Sequence, residues 1–110
     1  MLNNPTSFGA IINNGSYVGD NGAHKAIAHG LGKKPKLVII TIAPVASTEG
    51  DSVFLIPPQP TNRMFALIGG VNSITGPTEP DSTNFYVGDG VNHALSANLL
   101  DKTYNWVAIA

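Results

Sequence analysis

Residues His29 to Pro44 read HGLGKKPKLVIITIAP, and the reading of this stretch decides the fold. Its apolar run, Leu37 to Ala43, is interrupted only by Thr41. β-Branched side chains dominate the run; they suit a pleated strand and lose rotamer freedom in a helix. A run of about seven residues has the length of a strand, and Pro35 before it and Pro44 after it discourage a helix at either end. Leu37, Ile39 and Ala43 fall on one face, with Val38, Ile40 and Ile42 on the other, so the strand is expected to be covered on both. At about 1.5–3 kcal/mol per large aliphatic side chain buried, it should be the largest local contribution to the core.

Toward the N-terminus, Gly30-Leu31-Gly32 turns the chain and Lys33 to Lys36 leads into the strand. His24 to His29 alternates, with Ile27 on one face and Ala26 and Ala28 on the other, which predicts a half-buried strand. Asp20-Asn21-Gly22 reads as a tight turn. Asn13-Asn14-Gly15 reads as a hairpin turn, because Asn-Gly tolerates positive φ at both central positions. Short strands are then expected at Phe8–Ile12 and Ser16–Gly19. Leu2 to Ser7 carries the turn signal Asn4-Pro5, so residues 1–7 read as an arm and residues 8–110 as a single domain.

Toward the C-terminus, Val45 to Ser52 reads as a loop. Val53–Ile56 and Arg63–Ile68 read as strands, the first ended by prolines and the second by Gly69-Gly70. Asn72 to Thr83, with Gly76-Pro77 and Glu79-Pro80-Asp81, reads as the longest loop and an exposed tip. Strands follow at Asn84–Val87 and His93–Ala97, and Leu99–Lys102 reads as a helical turn or a tight connection. Tyr104 to Ala110 closes the chain and is expected to pair inside a sheet, since an apolar edge there would invite aggregation. Eight or nine short strands with Gly, Pro and Asn turns predict an all-β, antiparallel β-sandwich or jelly-roll-like domain.

Composition narrows the function. Charged residues make up 12% of the 110, against about 25% in ordinary soluble domains. The net charge of −1 gives no whole-molecule attraction to nucleic acid. The chain has no cysteine, which removes disulfides and thiolate metal sites. No apolar run reaches membrane-spanning length, and the start has neither a basic nor an apolar leader segment. So little charge suits a subunit held in an assembly.

Motifs for chemistry are sparse. Asp20, His24, Asp89 and His93 could converge on a metal, but turn-forming aspartates and strand histidines explain them without one. His29 reads as the residue that fixes the Gly30-Leu31-Gly32 turn. No G-x-S-x-G elbow supports a hydrolase, and the glycines lack the context of a phosphate cradle. Lys33, Lys34 and Lys36 form a basic cluster that reads as a solvated lead into the strand or as a patch for an acidic protein surface. Tyr17, Tyr86, Tyr104 and Trp106 read as core in preference to a sugar-stacking platform. Tyr17-Val18-Gly19-Asp20 recurs as Tyr86-Val87-Gly88-Asp89. Shared turn chemistry explains the echo; two equivalent hairpins are the alternative.

Gly19-Asp20-Asn21-Gly22, Ile27-Ala28-His29-Gly30-Leu31-Gly32 and Pro35-Lys36-Leu37-Val38-Ile39-Ile40, with Phe85-Tyr86-Val87-Gly88-Asp89-Gly90 and Tyr104-Asn105-Trp106-Val107-Ala108-Ile109, form a pattern. It resembles small β-rich virion surface proteins of tailed bacteriophages: capsid decoration (cement) proteins and tail-fibre tip domains. The resemblance implies a non-enzymatic β-sandwich, a homotrimer subunit with no catalytic, cofactor or metal residues to carry over. The His-x-His iron-binding repeats of some tips are absent, as is a shaft. A single domain beginning at Met1 is therefore expected to be a decoration protein, made in the host bacterial cytoplasm and bound to the major capsid protein on the virion. A fibre tip binding a host surface glycan or receptor is the alternative. Neither reading calls for nucleic acid, a membrane or a cofactor. The expected contact segments are Leu2, Asn3, Asn4 and Pro5 of the arm, and Lys33, Lys34 and Lys36.

Overall fold

Leu37–Ile42 does form a strand, and it sits in the middle of the larger of two sheets. A computed structural model of the chain describes residues 11–42, 52–57, 63–67, 70–75 and 79–110. They form β1 (Ile12–Val18), β2 (Ala23–Ala28), β3 (Leu37–Ile42), β4 (Val53–Ile56), β5 (Arg63–Leu67), β6 (Val71–Thr75), β7 (Asn84–Asp89) and β8 (Thr103–Ile109). No helix occurs among the described residues. One sheet has the order β1-β8-β3-β4-β5-β6 and the other pairs β2 with β7, every pairing antiparallel. The fold is all-β and antiparallel, with the two-stranded sheet laid on one face of the six-stranded one.

That asymmetry sets the core. On the inner face of the large sheet Val38, Ile40, Phe54, Ile56, Met64, Ala66, Tyr104, Trp106 and Ala108 are buried, and the small sheet adds Ile27, Phe85 and Val87. Aromatic rings bridge the layers. Phe85 of the small sheet meets Tyr17 edge-on at 6.5 Å and Trp106 edge-on at 5.3 Å, and within the large sheet Tyr17 stacks on Tyr104 at 5.0 Å. Such pairs add about 0.5–1.5 kcal/mol beyond their burial. β8 alternates as a half-buried strand should, with Tyr104, Trp106 and Ala108 inward and Thr103, Asn105 and Val107 outward. It pairs with β1 on one side and β3 on the other, so the closing strand lies inside a sheet as expected.

Four expectations change. β3 is fully covered on one face only: Val38 and Ile40 are buried, whereas Leu37 and Ile39 are half-buried and Thr41 is exposed. The small sheet lies on one side, and no described element lies on the other.

Asn13-Asn14-Gly15 is not a hairpin turn. It lies inside β1, opposite Ala108, Val107 and Trp106, and Ser16–Val18 continues the same strand. A local turn preference yields here to seven continuous cross-strand pairings. Gly15 serves close packing instead, since a Cβ there would come within 2.7 Å of the Trp106 ring.

Residues 72–75 are strand, not loop, with Met64 opposite Ile74 and Ala66 opposite Asn72. His93–Ala97 is wound in turns. Asn92 O accepts from Ser96 N at 3.0 Å and Ser96 Oγ at 2.7 Å, local bonds that compete with an extended backbone. The expected Phe8 end of the first strand and the Val45 loop's main part lie outside the described residues.

Candidate interaction surface

The outward face of the large sheet is built by the odd residues of β3 and their partners, because directly opposed residues share a face. One row runs Ile12, Ile109, Leu37. The next runs Asn14, Val107, Ile39, Leu55, Phe65, Ser73. A third runs Ser16, Asn105, Thr41, Val53, Leu67, Val71. Arg63 is the only ionic side chain among these and their described neighbours on the face, and its guanidinium donates to Ser73 Oγ at 3.0 Å.

Val71 is 74% exposed and Ile12 61%. Strands about 4.8 Å apart and a rise of about 3.4 Å per residue give this face about 500 Å². Ten of these fifteen residues are apolar, and an exposed apolar patch on a monomer is often functional. The signal was present in the sequence: VFLI, MFAL and WVAI, like LVIITI, are apolar at both parities.

The residues singled out for chemistry are occupied by the fold. His29 is fully buried; Leu31 N–H donates to its Nδ1 at 3.1 Å, which leaves Nε2–H to donate to Asp81 O at 2.8 Å. It fixes the turn, as read.

Asp20 accepts from Gly22 N at 2.8 Å and Asn98 Nδ2 at 2.8 Å and pairs with Lys25 at 3.3 Å. The Gly22 N–H first, then Asn98, hold its carboxyl below the usual range. Asp81, accepting from Tyr86 Oη at 2.6 Å and from the Asn84 and Thr83 N–H groups, is held low in the same way. Asp89 accepts from Val91 N and Asn92 N. Among the described residues no group of three or more ligating side chains gathers.

Tyr17, Tyr104 and Trp106 are interior, which makes them core, while Tyr86 is half-buried on the small sheet. The two Tyr-Val-Gly-Asp copies are not equivalent hairpins. Tyr17 points inward from β1 and Tyr86 outward from β7, and only the first copy leads into a strand.

Of the predicted contacts, Lys33, Lys34 and Lys36 are exposed between β2 and β3. Lys34 is paired with Glu79 at 3.2 Å, which reduces the cluster's reach for an acidic partner. Leu2, Asn3, Asn4 and Pro5 lie outside the described residues.

A residue the sequence reading passed over holds the loops together. Asn98, fully buried, donates to Asp20 Oδ1 and Gly22 O, both at 2.8 Å, and accepts from Asp20 N at 3.1 Å; its carbonyl accepts from Asn21 N at 2.8 Å. The non-glycine residues with positive φ, Asn21, His24, Ala97 and Asp101, all lie in the two segments it joins. Comparison of the chain with protein-family models, with curated proteins and with solved structures finds no match.

Proposed function

We propose that this chain is a non-catalytic structural subunit that works by lying flat against other protein, and that its place is the outer surface of a phage head, as a capsid decoration (cement) protein on the major capsid protein. The observation carrying this is the outward face of the large sheet: broad, apolar at ten of the fifteen positions in its three rows and bearing a single described charge. Such a face loses little on desolvation, and contact spread over about 500 Å² suits a broad surface better than a small ligand. Low overall charge removes repulsion between crowded copies. The resemblance of the Gly-rich turns and flanking strands to virion surface proteins supplies the choice of partner.

The test is addition of the purified chain to expanded tailed-phage heads stripped of decoration protein. The chain should co-sediment with the heads and raise their heat resistance. Val107→Lys and Leu67→Lys, at positions 38% exposed on this face, should abolish binding while leaving the free subunit's melting nearly unchanged. No binding by the parent chain, or equal binding by both variants, refutes the proposal. Binding to host cells instead would favour the fibre-tip alternative.

A further inference from the structure

β1 is an edge strand. It pairs with β8, and no described strand pairs with its other side. Its ladder begins with the reciprocal bonds Ile11 N to Ala110 O at 3.1 Å and Ala110 N to Ile11 O at 2.8 Å. It ends with Gly19 N to Lys102 O at 2.8 Å. In an antiparallel ladder the bonded residues alternate. The backbone N–H and C=O groups of Ile12, Asn14, Ser16 and Val18 therefore point away from β8. Asn14 N–H is met by its neighbour's Asn13 Oδ1 at 2.9 Å, a local and exposed bond.

Edge strands are normally blunted by a charge, a proline or a bulge. β1, INNGSYV, has no charge and no proline, and its register with β8 runs unbroken from Ile12 to Val18. Its outward side chains read apolar, polar, polar, apolar: Ile12, Asn14, Ser16, Val18. That order is the same from either end, with Gly15 at its centre. Ile12 and Val18 stand 61% and 53% exposed.

We propose that β1 pairs with β1 of a second copy of this chain, antiparallel about a two-fold axis at Gly15. The axis sets Ile12 against Val18 of the second copy and Asn14 against Ser16 of the second copy. All four are positions whose backbone groups face outward, so hydrogen-bonding register and side-chain match coincide. Gly15 falls opposite itself, where an antiparallel pair brings Cα atoms closest, at about 4.5 Å, and a side chain would crowd most.

The Trp106 indole lies against Gly15 from the core side, and its buried Nε1 has no acceptor among the described residues. At the opposite edge β6, VNSIT, is shorter, and the same operation would set Val71 against Thr75. The two-fold is isologous and closes on itself; the trimer implied by the resemblance would need a head-to-tail contact. The pairing fuses two six-stranded sheets into one and holds whether or not the chain binds a phage head.

Sedimentation equilibrium of the full chain tests this. The parent chain should show a concentration-dependent species of twice 11.5 kDa. Ser16→Pro removes an outward N–H without touching the ladder to β8 and should leave a folded monomer, judged by Trp106 fluorescence. Ile12→Glu and Val18→Lys should each weaken the dimer about tenfold, since the symmetry counts every cross-strand pair twice. The Ile12→Glu, Val18→Lys double variant should recover it, because the register makes the two new charges partners. A monomer at every concentration, a trimer, or a dimer indifferent to these substitutions overturns the proposal.

Discussion

Replacing Asn98 by Ala should destabilise this protein more than any other single polar substitution among the described residues. The side chain is fully buried and makes three hydrogen bonds, to Asp20 Oδ1, Gly22 O and Asp20 N. Two are between neutral groups, at about 1 kcal/mol each, and the third is to a carboxylate, at about 1.5 kcal/mol. Asp20 is half exposed, its side chain 52% open, so solvent screening trims the charged bond. The loss should be about 3 kcal/mol. For a domain of this size that lowers Tm by about 12–20 °C. In urea, with m about 1.5 kcal/mol per M, the midpoint falls by about 2 M.

Asn98→Asp sharpens the test. It replaces the donating Nδ2 with a second carboxylate facing Asp20, so at neutral pH it should cost more than Asn98→Ala. Part of that extra cost should return as the pH falls toward 4 and the new pair takes up a proton (about pH 4). Asn105→Ala, on the outward face, should stay within about 0.5 kcal/mol of the parent. A loss under about 1 kcal/mol for Asn98→Ala, with Asn98→Asp no worse, would refute the reasoning that buried, fully bonded Asn98 holds the loops.

Gly15→Ala should cost about 1–3 kcal/mol, because the added carbon meets the Trp106 ring at 2.7 Å; urea unfolding followed by Trp106 fluorescence reads it. His29→Ala should cost about 2–3 kcal/mol in the same assay, since it leaves Leu31 N–H and Asp81 O without their buried partner. Stability should also fall at both ends of a pH series of thermal melts. Asp20 and Asp81 are held below their unfolded value of about 3.9, so their contribution is complete above that pH and is lost as pH drops through the folded values. Burial pushes the Tyr17 hydroxyl, which donates to Ala97 O at 2.7 Å, and the Tyr104 hydroxyl above 10.0. Their neutral forms therefore support the fold below that pH, and the support is lost as alkali ionises them. A melting temperature flat from pH 2 to pH 12 would contradict both halves (range spanning the carboxylate and phenol values, about 3.9 and 10).

The strands that rest on period-2 or continuous apolar patterns were legible in the residues. β2, β3, β4, β5, β7 and β8 lie within a residue or two of where LVIITI, VFLI and their like place them. The turn role of His29 was legible too, because a histidine before Gly-Leu-Gly has few other uses.

Two of the readings that failed rested on turn chemistry alone. Asn14-Gly15 announces a hairpin, but only the distant Trp106 explains why a glycine stands there. Ile74 and Asn72 sit beside Gly76-Pro77, and the breakers outweighed a short alternating strand whose partner, β5, was in plain view. The interaction surface was half legible. The doubled apolar pattern of β3 was read as two covered faces, since nothing in one strand tells how many strands the opposite layer holds. Strand order was not legible: β8 separates β1 from β3, an arrangement carried by pairing energies between distant segments.

That insertion of β8 bears on how the molecule comes into being. β1 is the first described strand to leave the ribosome, yet its ladder partner is the last. Until β8 is made, β1 and β3 each lack a neighbour, and β3 and β4 present apolar surface on both sides. Contacts of such long sequence separation close slowly. A nascent chain of this kind spends its synthesis as a sticky, incomplete hairpin array, the condition in which chaperones capture their clients. Yield in a cell should therefore depend on translation speed and chaperone supply more steeply than the finished fold's stability would suggest.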